Sequence, residues 1–134
     1  MSESQKPCFL PRLRVMVGKE IVLGPGKIDL LEAIVRSGSI SSAAREMGLS
    51  YRRAWMLVDT MNRYFQKPPV IRVTGGKGGG GAELSEMGRH IVSLYRNMEA
   101  KTQKVVQEEW NEIKKLIKQS AEQTKSRTSS PKRK

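Results

Sequence analysis

The stretch Gly38-Ser39-Ile40-Ser41-Ser42-Ala43-Ala44-Arg45-Glu46-Met47-Gly48-Leu49-Ser50-Tyr51-Arg52-Arg53-Ala54-Trp55 decides the fold. Its spacing predicts two helices joined by a tight turn. The small Ala43 and Ala44 let the helices approach closely, and Gly48 is free to take the left-handed conformation that ends the first. Ser50 is placed to cap the second, whose first turn then carries Tyr51, Arg52 and Arg53. A helix–turn–helix inserts that turn of its second helix into the major groove of DNA. A merely solvated face would also expose two arginines, but their place in a capped first turn favours contact with a groove. Trp55, one turn on, either joins that surface or wedges between helices.

Upstream, residues 1–11 read as a flexible arm. Leu13, Val15 and Val17 alternate with Arg12, Arg14 and Met16, and Gly18-Lys19 turns the chain into Ile21–Leu23, a short hairpin. Gly24-Pro25-Gly26 breaks it. Leu30, Leu31, Ile34 and Val35 then predict a helix from about Lys27 to Arg36.

Downstream, Ala54, Val58, Met61 and Phe65 share one face of the second helix, with Leu57 beside them. Tyr51, Arg52 and Trp55 lie off that face. Pro68-Pro69 is expected to end the helix. Val70–Val73 is a strand by β-branched content, and Ala82–Leu84 is placed to pair back with it across a glycine run from Gly75 to Gly81. The pair makes a hairpin in the position called a wing.

Gly76, Gly78 and Gly81 match a dinucleotide-binding glycine pattern literally, but no βαβ unit surrounds them, and the run also misses the phosphate-binding P-loop. A flexible turn is one reading of it. The favoured one is a wing whose backbone approaches phosphates, with Arg72 and Lys77 supplying charge.

Ser85 is set to cap a long helix with Glu86 in its first turn. Nothing breaks the pattern before about Ser120. Ile91, Tyr95, Met98, Thr102, Val106, Trp110, Ile113 and Ile117 form a stripe of seven steps over 26 residues, about 3.7 residues per step, nearer a straight helix than a heptad supercoil. A helix of about 35 residues is ~50 Å long, more than so small a domain covers. The stripe asks for a second copy, and a homodimer joined through Ile91, Tyr95, Met98, Val106, Trp110, Ile113 and Ile117 is the simplest supply. The alternative is a break near Thr102 and folding back. The basic, Ser/Thr-rich residues 121–134 are expected to be disordered.

The chain has 134 residues, with 25 lysines and arginines against 13 acidic residues, a formal charge of +12. Residues 1–99 hold 15 basic and 9 acidic side chains and residues 100–134 hold 10 and 4, a net +6 in each part. The basicity is therefore not merely a tail effect, and it favours a polyanionic partner, nucleic acid before membrane. With one cysteine, Cys8, and one histidine, His90, there is no internal disulfide, no cysteine-based zinc site and no histidine cluster. No metal, cofactor or catalytic constellation is expected. No apolar run approaches the ~20 residues needed to span a bilayer, and the N-terminus lacks a signal-peptide core, so the expectation is a cytoplasmic, nucleoid-associated protein.

Residues from about Gly24 to Met98 closely resemble the N-terminal winged-helix domain of the ModE-type molybdate-responsive transcription regulators. The resemblance is carried by Gly24-Pro25-Gly26, Leu30-Leu31-Glu32-Ala33-Ile34, Gly38 to Ala44, Met47 to Trp55, Met61-Asn62 and the Gly75–Gly81 run. The general helix–turn–helix pattern, shared with LysR-type regulators, is less specific. The likeness implies a winged helix–turn–helix that dimerises through its long helix and binds a palindromic operator. Family members that sense molybdate carry further C-terminal β domains. After the long helix no strands are left to build one, so molybdate sensing is not carried over and any effector is unknown.

The expected fold is mainly α with small β-hairpins: an arm over 1–11, a winged helix–turn–helix over 12–84, a long dimerisation helix over 85–120 and a basic tail over 121–134. The expected function is a homodimeric, sequence-specific transcription regulator. In it Ser50, Tyr51, Arg52, Arg53 and Trp55 read the major groove of double-stranded DNA, and Ser41, Ser42, Arg72 and Lys77 hold phosphates. Two rivals are a non-specific nucleic-acid-binding architectural protein and a protein–protein module that uses the long stripe.

Overall fold

The computed structural model describes residues 5–74 and 80–118. They divide into two compact units, Arg12–Glu99 and a second formed by residues up to Pro11 together with those from Ala100 onward.

The first unit begins with the expected hairpin. β1 (Val15–Val17) pairs antiparallel with β2 (Glu20–Leu23), Val17 opposite Glu20, with a register irregularity between Val15 and Met16. α1 (Pro25–Ser37) starts two residues earlier than its apolar spacing predicts, because Pro25 fits the first helical position, where no amide hydrogen is needed. Its Ile28, Leu30, Leu31, Ala33 and Ile34 are fully buried.

α2 (Ile40–Met47) and α3 (Tyr51–Tyr64) follow. Each opens on a serine whose Oγ accepts a backbone amide three residues on: Ser39 from Ser42 and Ser50 from Arg53, both at 3.0 Å. Between them Gly48 has φ 71°, the left-handed region a side chain disfavours. Ala43, Ala44 and Ala54 are buried where the helices meet. α3 ends at Tyr64, before the two prolines, as Phe65 turns to extended backbone.

β3 (Val70–Val73) and β4 (Gly81–Leu84) form the wing, with Val70 opposite Leu84 and Val73 opposite Gly81. α4 (Glu86–Val105) is capped by Ser85, whose Oγ accepts from the Gly88 amide at 3.1 Å and donates to the Pro68 carbonyl at 2.7 Å. A Cβ on Gly88 would sit 2.3 Å from the Pro69 carbonyl oxygen, so glycine is what lets α4 lie against that backbone.

Within the first unit, α4 is fixed by Ile91 and Tyr95. Both are buried in the core, and the Tyr95 hydroxyl donates to the Leu13 carbonyl at 2.7 Å. Arg96 adds ion pairs to Glu32 (2.6 Å), Glu99 (2.8 Å) and Asp29 (3.1 Å). Hydrogen bonding to Arg96 holds the Glu32 carboxyl below its ordinary value, and the same cluster raises the Arg96 guanidinium.

In the second unit the long helix is not continuous. α4 gives way at Val106 (φ −108°, ψ 20°) to α5 (Gln107–Leu116), and Ile117 is extended. The expectation of one helix to about Ser120 is corrected on both counts. Two adjacent β-branched residues, Val105 and Val106, are poor helix formers, while Glu108 and Glu109 favour a new helix N-terminus at that point. The interruption is one residue wide, since Val106 N still reaches Thr102 O at 3.3 Å and Trp110 N reaches Val106 O at 2.9 Å. The arm is held at Phe9: Gln103 Nε2 donates to its carbonyl at 3.0 Å, and its ring lies 6.2 Å from that of Trp110. The basic tail over 121–134 lies outside the described residues.

Candidate nucleic-acid interface

The caps turn the N-terminal end of α3 outward. Its core face is spent on Ala54, Val58 and Met61, which leaves Ser50, Tyr51, Arg52, Arg53 and Trp55 exposed. Trp55 is 40% exposed. Met56, which carried no expectation, is exposed beside it.

Charge separates this surface from the rest of the helix pair. α2 and α3 contain two acidic residues, and both are occupied: Glu46 pairs with Arg36 of α1, and Asp59 with Arg63 at 3.0 Å. Arg45, Arg52 and Arg53 are left with no carboxylate partner among the described residues, and so is Arg72 on β3. The positive end of the α3 dipole adds to the same field.

Lys27, in the first turn of α1, senses it. Burial lowers its amine below the ordinary lysine value, Glu20 opposes that, and the positive charge of Arg53 lowers it further. An anionic phosphate brought to this place would relieve that repulsion.

The other predicted residues are distributed more widely. Ser41 is exposed in the first turn of α2. Ser42 is half-buried, and its Oγ accepts from Arg45 Nη2 at 3.1 Å, so it serves to hold Arg45. Arg72 is exposed on the wing, opposite Ala82. Lys77 lies outside the described residues. Lys27 and Arg45 stand near these residues without having been expected there. The serine three positions before Arg45 was a signal for it, whereas Lys27 had none.

The wing is tied to the helix pair at both strands. The Ala82 amide donates to the Gly38 carbonyl at 2.9 Å. The Asn62 side chain donates to the Val70 carbonyl and accepts from the Val70 amide, both at 3.2 Å.

Of the residues expected on a dimerising stripe, Ile91 and Tyr95 are buried in the core of their own chain. Met98, Ile113 and Ile117 are exposed, while Val106 and Trp110 are half-buried, Trp110 beside Phe9 with Lys114 Nζ 5.6 Å from its ring centroid. Among the described residues no group of three or more His, Cys, Asp or Glu is placed to hold a metal, and no helix is long and apolar enough to cross a membrane.

This arrangement defines a winged helix–turn–helix domain with a cationic N-terminal end on α3. Sequence comparison then places it among known proteins. The chain is 45% identical over 95 residues to the molybdenum transport protein ModE of Azotobacter vinelandii, 71% of this chain and 35% of that one. It is 45% identical over 84 residues to the molybdenum-pterin-binding protein MopB of Rhodobacter capsulatus, 63% and 31% of the two chains. It is 41% identical over 83 residues to the DNA-binding transcriptional dual regulator ModE of Escherichia coli K12, 62% and 32%. The aligned region is homologous to these ModE and Mop proteins and is consistent with a ModE-type N-terminal domain. The chain spans about a third of the length of these relatives. No family model matches it.

Proposed function

We propose that this chain is a sequence-specific DNA-binding transcription regulator that acts as a homodimer on a palindromic operator at the bacterial nucleoid. α3 enters the major groove, where Arg52 and Arg53 offer bidentate contacts to guanine and Tyr51 and Trp55 supply apolar and polar contacts. Phosphates are held by Ser41, Arg45, Lys27 and Arg72, with Lys77 from beyond the described residues. The observation that carries this reading is the electrostatic imbalance of α2 and α3: both acids are paired away, and the arginines at the reading end are not. The name of the E. coli relative points the same way. Dimerisation is supported by apolar side chains left exposed on α5 and at the end of α4. No effector is part of the reading.

Selection from a random duplex library tests it. The wild-type chain is expected to enrich one inverted repeat at physiological salt. Arg52→Ala is expected to lose preference at one base position of each half-site, at about 1–3 kcal/mol. Enrichment of no motif would favour the architectural reading instead, and an Arg52→Ala chain that discriminates like the wild type would remove Arg52 from base contact.

A further inference from the structure

The wing resumes a strand immediately after two prolines, neither of which has an amide hydrogen. Val70 is the first residue there with both backbone groups to offer, and it is buried. Buried backbone groups need partners. Both are met by one side chain, Asn62 of α3, whose carboxamide presents a donor and an acceptor side by side as a neighbouring strand would.

Resting on the DNA-binding reading, we propose that Asn62 is a positioning residue: it locks the wing to the recognition helix, so that Arg72 meets phosphate in register with Arg52 and Arg53 in the groove. The partner strand is fixed independently, by the Ala82 amide on the Gly38 carbonyl, and a Cβ on Gly81 would stand 3.3 Å from that same oxygen. β3 is thus referred to α3, and β4 to the turn between α1 and α2. Arg72 sits two residues along β3 from the Asn62 anchor, opposite Ala82. Losing the carboxamide removes the direct tie of β3 to α3, leaves β3 held through its ladder with β4, and leaves the Ser50 cap and the first turn of α3 untouched.

A double-mutant cycle on DNA affinity separates positioning from plain stability. Affinities of the wild type, Asn62→Ala, Arg72→Ala, Arg52→Ala and the two Asn62→Ala doubles are measured against salt on the selected operator, with folding checked by circular dichroism. Arg72→Ala alone is expected to weaken binding about five- to tenfold and reduce the salt slope by about one unit. In the Asn62→Ala background the same change is expected to cost less than twofold, while Arg52→Ala costs as much as it does in the wild type. Equal costs of Arg72→Ala in both backgrounds would overturn the positioning role. If neither Arg52→Ala nor Arg72→Ala alters binding by the wild type, the DNA reading fails first. Should Asn62→Ala not fold, Asn62→Asp carries the same cycle, since it keeps the shape and the acceptor for the Val70 amide and loses the donor to its carbonyl.

Discussion

α1 and α5 both carry apolar side chains at helical spacing and meet opposite fates. In α1 five apolar side chains are fully buried, and the core of the Arg12–Glu99 unit closes around them with no buried polar group among the described residues. In α5 no residue is buried, and Ile113, Leu116 and Ile117 just beyond it stay exposed, Leu116 at 83%. The first helix is completed by its own chain. The second carries apolar side chains too, and among the described residues Phe9 lies against its Trp110. Apolar periodicity states that a face wants cover, and it is silent about who provides it.

The largest effect expected from this contrast is on stability. Ile34→Ala removes a fully buried side chain from α1 and should cost about 2–5 kcal/mol, transfer and cavity together. The matched change Ile113→Ala should stay within about 0.5 kcal/mol, as for exposed positions generally. Urea midpoints at a concentration where the chain is monomeric check both. Similar shifts for the two would break the comparison, because α5 would then have cover within the single chain.

A smaller effect separates the two halves of α4. Arg96 joins the first half to α1 through Glu32 and Asp29. The Glu32 carboxyl is held low chiefly by its hydrogen bond to Arg96. A depressed folded-state value means stability that is fully present above the unfolded carboxylate value of about 4.3 and lost as pH falls through the lower folded value. Because both side chains are about a third exposed, solvent screening limits the gain, and Glu32→Gln should cost only about 0.5–1 kcal/mol at neutral pH. The gap between variant and wild-type urea midpoints should close as pH falls below the ordinary carboxylate range. A gap that persisted in acid would assign the effect to packing rather than to charge.

Local chemistry made much of the winged helix legible. Serine caps, a glycine at the turn and β-branched alternation each act within a few residues, so both hairpins and the helix pair are legible in the sequence. The N-terminal cap of α2 is nonetheless Ser39, whereas Ser41 and Ser42 had drawn attention as phosphate contacts. What escaped were relations between distant residues. Glu46 is paired with Arg36 ten positions away, Phe9 is met by Gln103, and Tyr95 reaches back to Leu13. The interruption at Val106 escaped for another reason: apolar spacing passes through a one-residue deviation unchanged. Ile91 and Tyr95 share a spacing with Met98 and Ile113, yet the first two face their own chain and the last two are exposed.

The smallest effect on the fold is expected to be the largest on assembly. Replacing Ile113 and Leu116 together by serine removes apolar surface that the single chain leaves in solvent, so thermal unfolding of the monomer should move little. If that surface is where a second copy docks, the same change exposes polar groups at a buried interface and should shift sedimentation from dimer toward monomer by tenfold or more in dissociation constant, about 1.4 kcal/mol or above. Val35 is also 62% exposed but lies on α1 of the Arg12–Glu99 unit, so Val35→Ser is the control and should leave the dimer intact. A dimer lost with Val35→Ser and kept in the α5 variant would move the interface to the winged helix, and a wild-type chain that sediments as a monomer at every concentration would leave the α5 stripe to a different helical partner. In either case the palindromic operator would lose its structural reason, because two half-sites are read together only where two recognition helices are joined.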